Sequence, residues 1–461
     1  MNMPFRVFWA AILVMLSVFV CEAQSPSAPA SSQNSQIDIP TTVPAAAQPS
    51  DHFDVNAATQ AYLAEMPESA TARSDAYFEG GYWLILWDFL CGAGIALLLL
   101  NLRWSAAMRS FAERITRFKP LQTFFYWVQY LLVVTILGAP LGIYEGYFRE
   151  HKYGLATQTF GPWMAEQCKY LLVNMVLGGI LTVLLFGIVR KLPRTWWIWG
   201  AVATMVFLVI TIMIGPVYLQ PIFNKITRLD DPKVTQPILS MARANGIPAH
   251  DVYEVDASRQ TTRMSANVSG FGNTMRITLN DNLLRRGSLE EIEAVMGHEM
   301  GHYVLNHIPK DMIFFFVVSV CGFAFLRWSL GYCLARWGDM WQIRGIGDPA
   351  VLPLVVLLSS IFFFVLTPFL NTHIRSSEAE ADMFGLNASR QPDGFAQGAL
   401  HLGEYRKMRP GSIEEYILYD HPSGYNRIHR AMQWKAENLR LFKPAPAAQN
   451  EQEKTASQMS P

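Results

Sequence analysis

The stretch VLPLVVLLSSIFFFVLTPFLNTHIRSSEAEAD, residues 351–382, decides how this chain is read. Its first part, Val351–Leu370, is apolar and uncharged. A bilayer core ~30 Å thick needs about 20 such residues as a helix, so this part predicts a membrane span. Glu378-Ala-Glu-Ala-Asp382 follows directly after this run. Glu378 and Asp382 are four residues apart and share one helical face, while Glu380 projects elsewhere. Two carboxylates aligned on one helical face directly after a membrane run predict a polar site just outside the bilayer.

Five further stretches read as spans: Tyr82–Leu102, Phe124–Tyr144, Tyr170–Val189, Trp196–Tyr218 and Met312–Leu334. Trp and Tyr stand near several of their ends, as interface anchors do. Six such runs in one chain exclude a soluble protein with long buried helices. Asp88 lies inside the first run. An intramembrane carboxylate faces a bundle interior or a water-filled cavity, so Asp88 is read as lining a chamber or as packing helices. Composition agrees. Of 461 residues, 51% are hydrophobic and 16% charged, well below the ~25% charged residues of soluble domains. Lys and Arg number 37 against 37 for Asp and Glu, and no block is basic enough for nucleic acid. The cysteines, at 21, 91, 168, 321 and 333, suggest neither a disulfide framework nor a thiolate metal site.

The ends of the chain differ in character. Residues 1–23 read as a secretory signal: Arg6, an apolar Val7–Val20, then Cys21-Glu22-Ala23 before a cut. The alternative is an uncleaved first membrane helix. Residues 24–78, rich in Ser, Ala, Pro and Gln, read as a disordered tether, and 444–461 as a disordered tail. Between them lie a four-helix membrane region (79–218), a catalytic segment (219–311), two more membrane helices (312–370) and a C-terminal catalytic segment (371–443). One alternate set of loops carries Arg103, Arg109, Arg114, Arg117 and Lys119, then Arg190, Lys191 and Arg194, then Arg336 and Arg344. The positive-inside rule puts that set in the cytoplasm and the catalytic segments on the exported side. The expected location is therefore a bacterial inner membrane with the catalytic side in the periplasm.

The chemistry is concentrated in His298-Glu299-Met300-Gly301-His302. On a helix, both imidazoles of this HExxH pattern reach one ion, and the neighbouring Glu can take a proton from water. Ser288-Leu289-Glu290-Glu291 supplies a capping box just upstream. Neutral imidazoles suit zinc, expected at one ion per chain, but a catalytic site needs a third protein ligand. His307 points about 140° away from His302 on an ideal helix and reads as a surface residue or a neighbour of the ligands. Glu378 is the better third ligand, with Glu380 in reserve, and Asp382 reads as the partner of a metal-bound histidine. Met264-Ser265-Ala266-Asn267-Val268-Ser269-Gly270 and Arg276–Asn280 read as a hairpin. The first strand is a candidate edge on which a peptide substrate adds as a further strand. A purely structural hairpin is the rival. His421-Pro422 and Arg427 have the residue types that stabilise an oxyanion, although a capped loop and a surface Arg are commoner.

Together these elements resemble the CAAX prenyl protease type 1 family of polytopic zinc metalloendopeptidases. The match rests on HExxH, on Asn371 to Asp382 with its Glu378-x3-Asp382, and on His421-Pro422-x4-Arg427. It also rests on Asn267-Val-Ser-Gly270, on Glu150-His-Lys-Tyr-Gly154 with Gln158-Thr159, and on Pro221-Ile-Phe-Asn224-Lys225. It runs in family order from Trp83 to Leu439. The resemblance implies a mainly α fold, a membrane helix bundle forming a chamber, with an inserted zincin-like α+β metalloprotease domain. It implies zinc on His298, His302 and Glu378, Glu299 as general base, and His421 and Arg427 at the tetrahedral intermediate. Ile374 and Ser423 depart from the family pattern without removing a ligand. The leader is the larger departure, because an exported site would not readily meet prenylated proteins of the cytosol. Expected partners are a peptide or membrane-protein substrate and the lipid bilayer, with no nucleic acid. Other readings are a membrane-protein quality-control protease, an idle scaffold, and a non-enzymatic zinc-containing chamber or transporter.

Overall fold

The computed structural model describes residues 42–270 and 275–442. The leader and the C-terminal tail expected from sequence lie outside them. Among the described residues, six helices are long and apolar enough to cross a membrane: Glu68–Asn101, Lys119–Lys152, Phe160–Lys191, Trp196–Phe223, His307–Trp337 and Pro349–Ser389. Each coincides with one of the six expected apolar runs, the first running one residue past its helix to Leu102.

In chain order, α1 (Val55–Ala64) precedes the first span, α2 (Glu68–Asn101). A short α3 (Trp104–Ile115) leads into α4 (Lys119–Ile143), α5 (Phe160–Lys191) and α6 (Trp196–Ile214). The inserted segment follows, with β1 (Ile226–Arg228), α7 (Pro232–Ala244), β2 (Val252–Val255), β3 (Ala266–Ser269), β4 (Arg276–Asn280), α8 (Asp281–Arg286) and α9 (Leu289–Val304). Two spans, α10 (His307–Trp337) and α11 (Leu352–Ser389), lead to α12 (Pro392–Leu402), α13 (Ser412–Leu418) and α14 (Gly424–Glu437).

The sheet has the order β1-β2-β4-β3. β3 and β4 are antiparallel, with Asn267 opposite Thr278, and β2 and β4 are parallel. β3 is thus an edge strand, as expected from the hairpin reading. The buried face of the sheet joins α7 and α9 in one core built from Ile238, Ile277, Leu279, Leu283, Ile292, Met296 and Met300.

α11 is the axis of the molecule. Its apolar window is 56% buried, against 22–28% for the other spans, whose sides are left for lipid. A helix of 38 residues is about 57 Å long at ~1.5 Å per residue, far more than a bilayer core. Glu378 therefore sits about 12 Å beyond Leu370, the end of the apolar run. The loops at the other end are tied together. Arg109 pairs with Asp348 at 2.6 Å, Arg344 pairs with Glu113 at 2.7 Å, and Arg190 Nε donates to the Gly347 carbonyl at 3.0 Å.

The expected tether is corrected over residues 42–78. α2 begins at Glu68, and α1 is a capped helix whose Asp54 carboxylate accepts from the Asn56 and Ala57 amides. Ala47, Ala58, Tyr62, Met66 and Ala70 are buried in one core with Phe395, Leu400, Ile428 and Met432 of α12 and α14. Burying a side chain the size of Met66 contributes about 1.5–3 kcal/mol, which offsets the ordering cost that the polar composition suggested was unmet. A polar clasp completes the junction. The Lys435 ammonium is buried and donates to Asp393 at 2.5 Å and to the Ala47 carbonyl at 2.7 Å. Tyr62 donates to Asp393 at 2.7 Å. Asp393→Ala is expected to cost about 3–5 kcal/mol, because it leaves Lys435 buried without a counter-charge. Thermal unfolding of the purified protein measures this, and Asp393→Ala/Lys435→Met should recover much of the loss.

Candidate metal centre

The site forms where α9 crosses α11. Gly301 and Gly385 permit the approach. A Cβ on Gly385 would lie 2.7 Å from the His298 amide nitrogen, and one on Gly301 would lie 3.1 Å from Ala381 Cα. With the two backbones in contact, carboxylates of α11 reach imidazoles of α9 directly. The start of α9 is fixed by its capping box, in which Ser288 and Glu291 satisfy each other's backbone amides. Glu291 also holds His401 of α12 at 2.6 Å.

His298, His302 and Glu378 offer ligand atoms that all lie within 4.8 Å of one another. His298 Nε2 is 3.2 Å from His302 Nε2 and 3.2 Å from Glu378 Oε2. His302 Nε2 is 3.5 Å from Glu378 Oε1. Ligands bonded to zinc at ~2.0–2.1 Å in a tetrahedron stand about 3.3 Å apart, so this spacing fits the ion. Glu378 Oε2 is also buried without a well-aligned hydrogen-bond partner among the described residues. The donor set, two imidazoles and a carboxylate, suits zinc.

Both imidazoles are oriented from behind. His298 Nδ1 meets Asp382 Oδ1 at 2.9 Å. Asp382 is fully buried and receives the Arg427 guanidinium at 2.5 and 3.1 Å and Arg430 at 3.4 Å. His302 Nδ1 meets His307 Nδ1 at 2.9 Å, and His307 Nε2 meets Glu380 at 3.2 Å. Each partner occupies a Nδ1 and leaves Nε2 for a metal. Burial opposes charge on His298, but Asp382 and Glu378 outweigh it and raise its pKa to about 10. Burial and the neighbouring His298 lower His302 to about 4.

Glu299 follows the first histidine and accepts no hydrogen bond among the described residues. Burial pushes its carboxyl up to about 7, in the range where a group both takes and returns a proton at neutral pH. His421 stands across the cluster, with Nε2 3.3 Å from Glu378 Oε2 and Nδ1 held by Asp420 at 2.8 Å.

The expected strand runs beside α9. Ala266, Asn267, Val268 and Ser269 form β3, whose outer edge faces away from β4. Met264 packs into the core beneath, and the Ser265 amide donates to the Asn280 side-chain Oδ1 while its carbonyl accepts from the Asn280 amide. Gly270 takes a positive φ of 104° at the strand end. Asn267 is not free to meet a ligand with its Oδ1, which accepts from Thr278 at 2.6 Å.

Sequence reasoning missed Asp420, Arg430 and the burial of His307. A carboxylate beside His421 was visible in the sequence. Of the two readings given to His307, the neighbour of a candidate ligand fits and the surface residue does not; its direction differs from the helical extrapolation because α9 stops at Val304 and Asn306 adopts φ 56°. Asn is one of the few residues that takes this left-handed conformation readily, so a signal was present. Glu380 lies on the outer side of α11 beside His307 and Lys310, away from the ligand cluster.

Residues 228–435 match the model of peptidase family M48, and residues 54–225 match that of the CAAX prenyl protease N-terminal region, described as five membrane helices. The CAAX prenyl protease 1 homolog of Dictyostelium discoideum is 31% identical over 67% of this chain and 70% of its own length. The chain belongs to the CAAX prenyl protease 1 family. A Bacillus subtilis relative, the uncharacterized metalloprotease YhfN, is 28% identical over 71% of this chain and 77% of its own length. The crystal structure of S. mikatae Ste24p superposes with a TM-score of 0.68 at 20% identity, covering 93% of this chain and 99% of that one. As in its CAAX protease relatives, the activity is that of a membrane metalloendopeptidase. The fold agrees with the expected membrane helix bundle with an inserted α+β protease domain. Among the described residues, 54–225 contain four candidate spans, one fewer than the family description gives.

Proposed function

We propose that this membrane metalloendopeptidase works with one zinc ion held by His298, His302 and Glu378, on the exported side of a bacterial inner membrane. The observation that carries the reading is the triangle of ligand atoms with the Glu299 carboxyl beside it. A zinc ion there supplies a Lewis acid that acidifies water and polarises a carbonyl. Glu299 takes the proton of the attacking water and passes it to the leaving amine. The substrate lies extended along the free edge of β3, held by backbone hydrogen bonds that do not depend on its sequence. His421, oriented by Asp420, is the nearer donor to the developing oxyanion. Arg427 works one step behind, because its Nε and Nη2 are engaged by Asp382.

The exported orientation is supported by the cationic loops at the far end and by the leader-like residues 1–23. The relatives' names specify CAAX-box prenylated substrates. Here the substrate is proposed more broadly, as a peptide or an extended segment of a membrane protein. The deciding experiment is cleavage of a fluorogenic panel, farnesylated and unmodified, by detergent-purified protein with zinc quantified. Cleavage that is lost with a chelator and restored by zinc is expected. One zinc per chain with every peptide left intact would overturn the reading.

A further inference from the structure

Between the first two spans, the chain makes α3, a helix that cannot leave the membrane boundary because α2 ends at Asn101 and α4 begins at Lys119. Its inner side is fixed to the bundle. Ser105, Ala106, Met108, Arg109 and Ala112 are buried. Ser105 Oγ donates to the Ala350 carbonyl at 2.7 Å, and Arg109 pairs with Asp348. Its outer side is apolar: Trp104, Phe111 and Ile115 are 45%, 53% and 48% exposed, and Phe118, in the turn that follows, is 61% exposed. The spacings of seven and four residues place Trp104, Phe111 and Ile115 on one stripe of the helix. The stripe continues into Leu102 and Leu121 on the adjoining spans, at 57% and 45% exposure. Lipid, rather than water, is the medium that suits such a surface.

The exposed charges beside the stripe are cationic. Arg114 and Arg117 are exposed and have no ion-pair partner among the described residues. Lys119 approaches only Glu113, at 4.0 Å, and Glu113 is already held by Arg344 at 2.7 Å. An apolar face with cations along its border is the pattern of a helix lying in the plane of a membrane interface.

We propose that α3 and the turn after it form a docking surface for acidic phospholipid, at the membrane face opposite the metal centre. Trp104, Phe111, Ile115 and Phe118 sit among the upper acyl chains. Arg114, Arg117 and Lys119 extend along the surface to phosphate headgroups. The surface commits to lipid because the apolar stripe is continuous with the lipid-facing sides of α2 and α4. A soluble anion would use the cations and leave the stripe uncovered.

The test uses the full chain in detergent, titrated by native mass spectrometry with phosphatidylglycerol, phosphatidylcholine or glycerol phosphate. Phosphatidylglycerol is expected to bind more tightly than phosphatidylcholine. One cation near a charged membrane surface is worth about fivefold in binding. Arg114→Gln/Arg117→Gln/Lys119→Gln should therefore lower phosphatidylglycerol affinity by about 10- to 100-fold, with phosphatidylcholine binding and metal content unchanged. Phe111→Ser/Ile115→Ser should weaken both lipids. Lys191→Gln/Arg336→Gln, in the last turns of α5 and α10, should leave the preference in place. Any of three results overturns the proposal: equal binding of the two lipids to wild type, an unchanged preference in the triple variant, or glycerol phosphate binding as tightly as the lipid.

Discussion

Glu299→Gln is expected to retain its metal and lose nearly all peptide cleavage. Gln occupies the same volume and stays uncharged, so the cleft is not disturbed by packing. The three proposed ligand side chains do not depend on Glu299, which makes no hydrogen bond to them among the described residues. What is lost is the proton acceptor. A positioned general base contributes typically ~10²–10⁴-fold, so kcat should fall at least that far while the zinc-to-protein ratio stays at that of wild type. The raised carboxyl explains why this residue suits both halves of the reaction, since a group near pH 7 gives up a proton almost as readily as it takes one. Turnover within a few-fold of wild type in a zinc-loaded variant would remove Glu299 from the mechanism.

The candidate ligand cluster was suggested by local spacing. His298 and His302 lie four residues apart on one helix, and so do Glu378 and Asp382. Helical period alone then fixes which side chains point together. The crossing that brings the two helices into contact was legible only in part. Gly301 and Gly385 stand in the sequence, but nothing local says that a Cβ on either would press on the backbone of the other helix. The membrane spans were legible from apolar length, although their ends were not. α2 and α11 run well past the hydrocarbon core, and a hydropathy window is blind to helix continued by polar residues.

The N-terminal segment was misread for a related reason. Averaged over residues 24–78, the composition is that of a disordered chain. The ordering signals within it are short: Asp54 as a helix cap, then Ala58, Tyr62 and Met66 spaced to line one face. Their burial partners lie more than 300 residues away, in α12 and α14, and no local pattern announces such a partner. The clasp has a mechanistic consequence. α14 carries Arg427 near its start and Lys435 near its end, so the segment that holds Lys435 also steadies the helix behind the metal site.

That helix is tested most severely through Asp382. Its carboxylate has two duties: it orients His298 through Nδ1 at 2.9 Å, and it balances the buried Arg427 guanidinium. Asp382→Asn keeps the shape and removes the charge. The first duty predicts a metal affinity lower by about 10–100-fold, as for loss of a partner behind a zinc ligand. The second predicts a stability loss of about 3–5 kcal/mol, from a buried cation left unpaired. A double variant separates the two. Asp382→Asn/Arg427→Met removes the unpaired charge and should recover most of the thermal stability, yet His298 still lacks its carboxylate, so metal affinity should stay low. Zinc titration against a competing chelator, alongside thermal unfolding, measures both quantities on the same samples. If the double variant regained full metal affinity, His298 would not need the carboxylate. Asp382 would then matter to the site only as the counter-charge of Arg427.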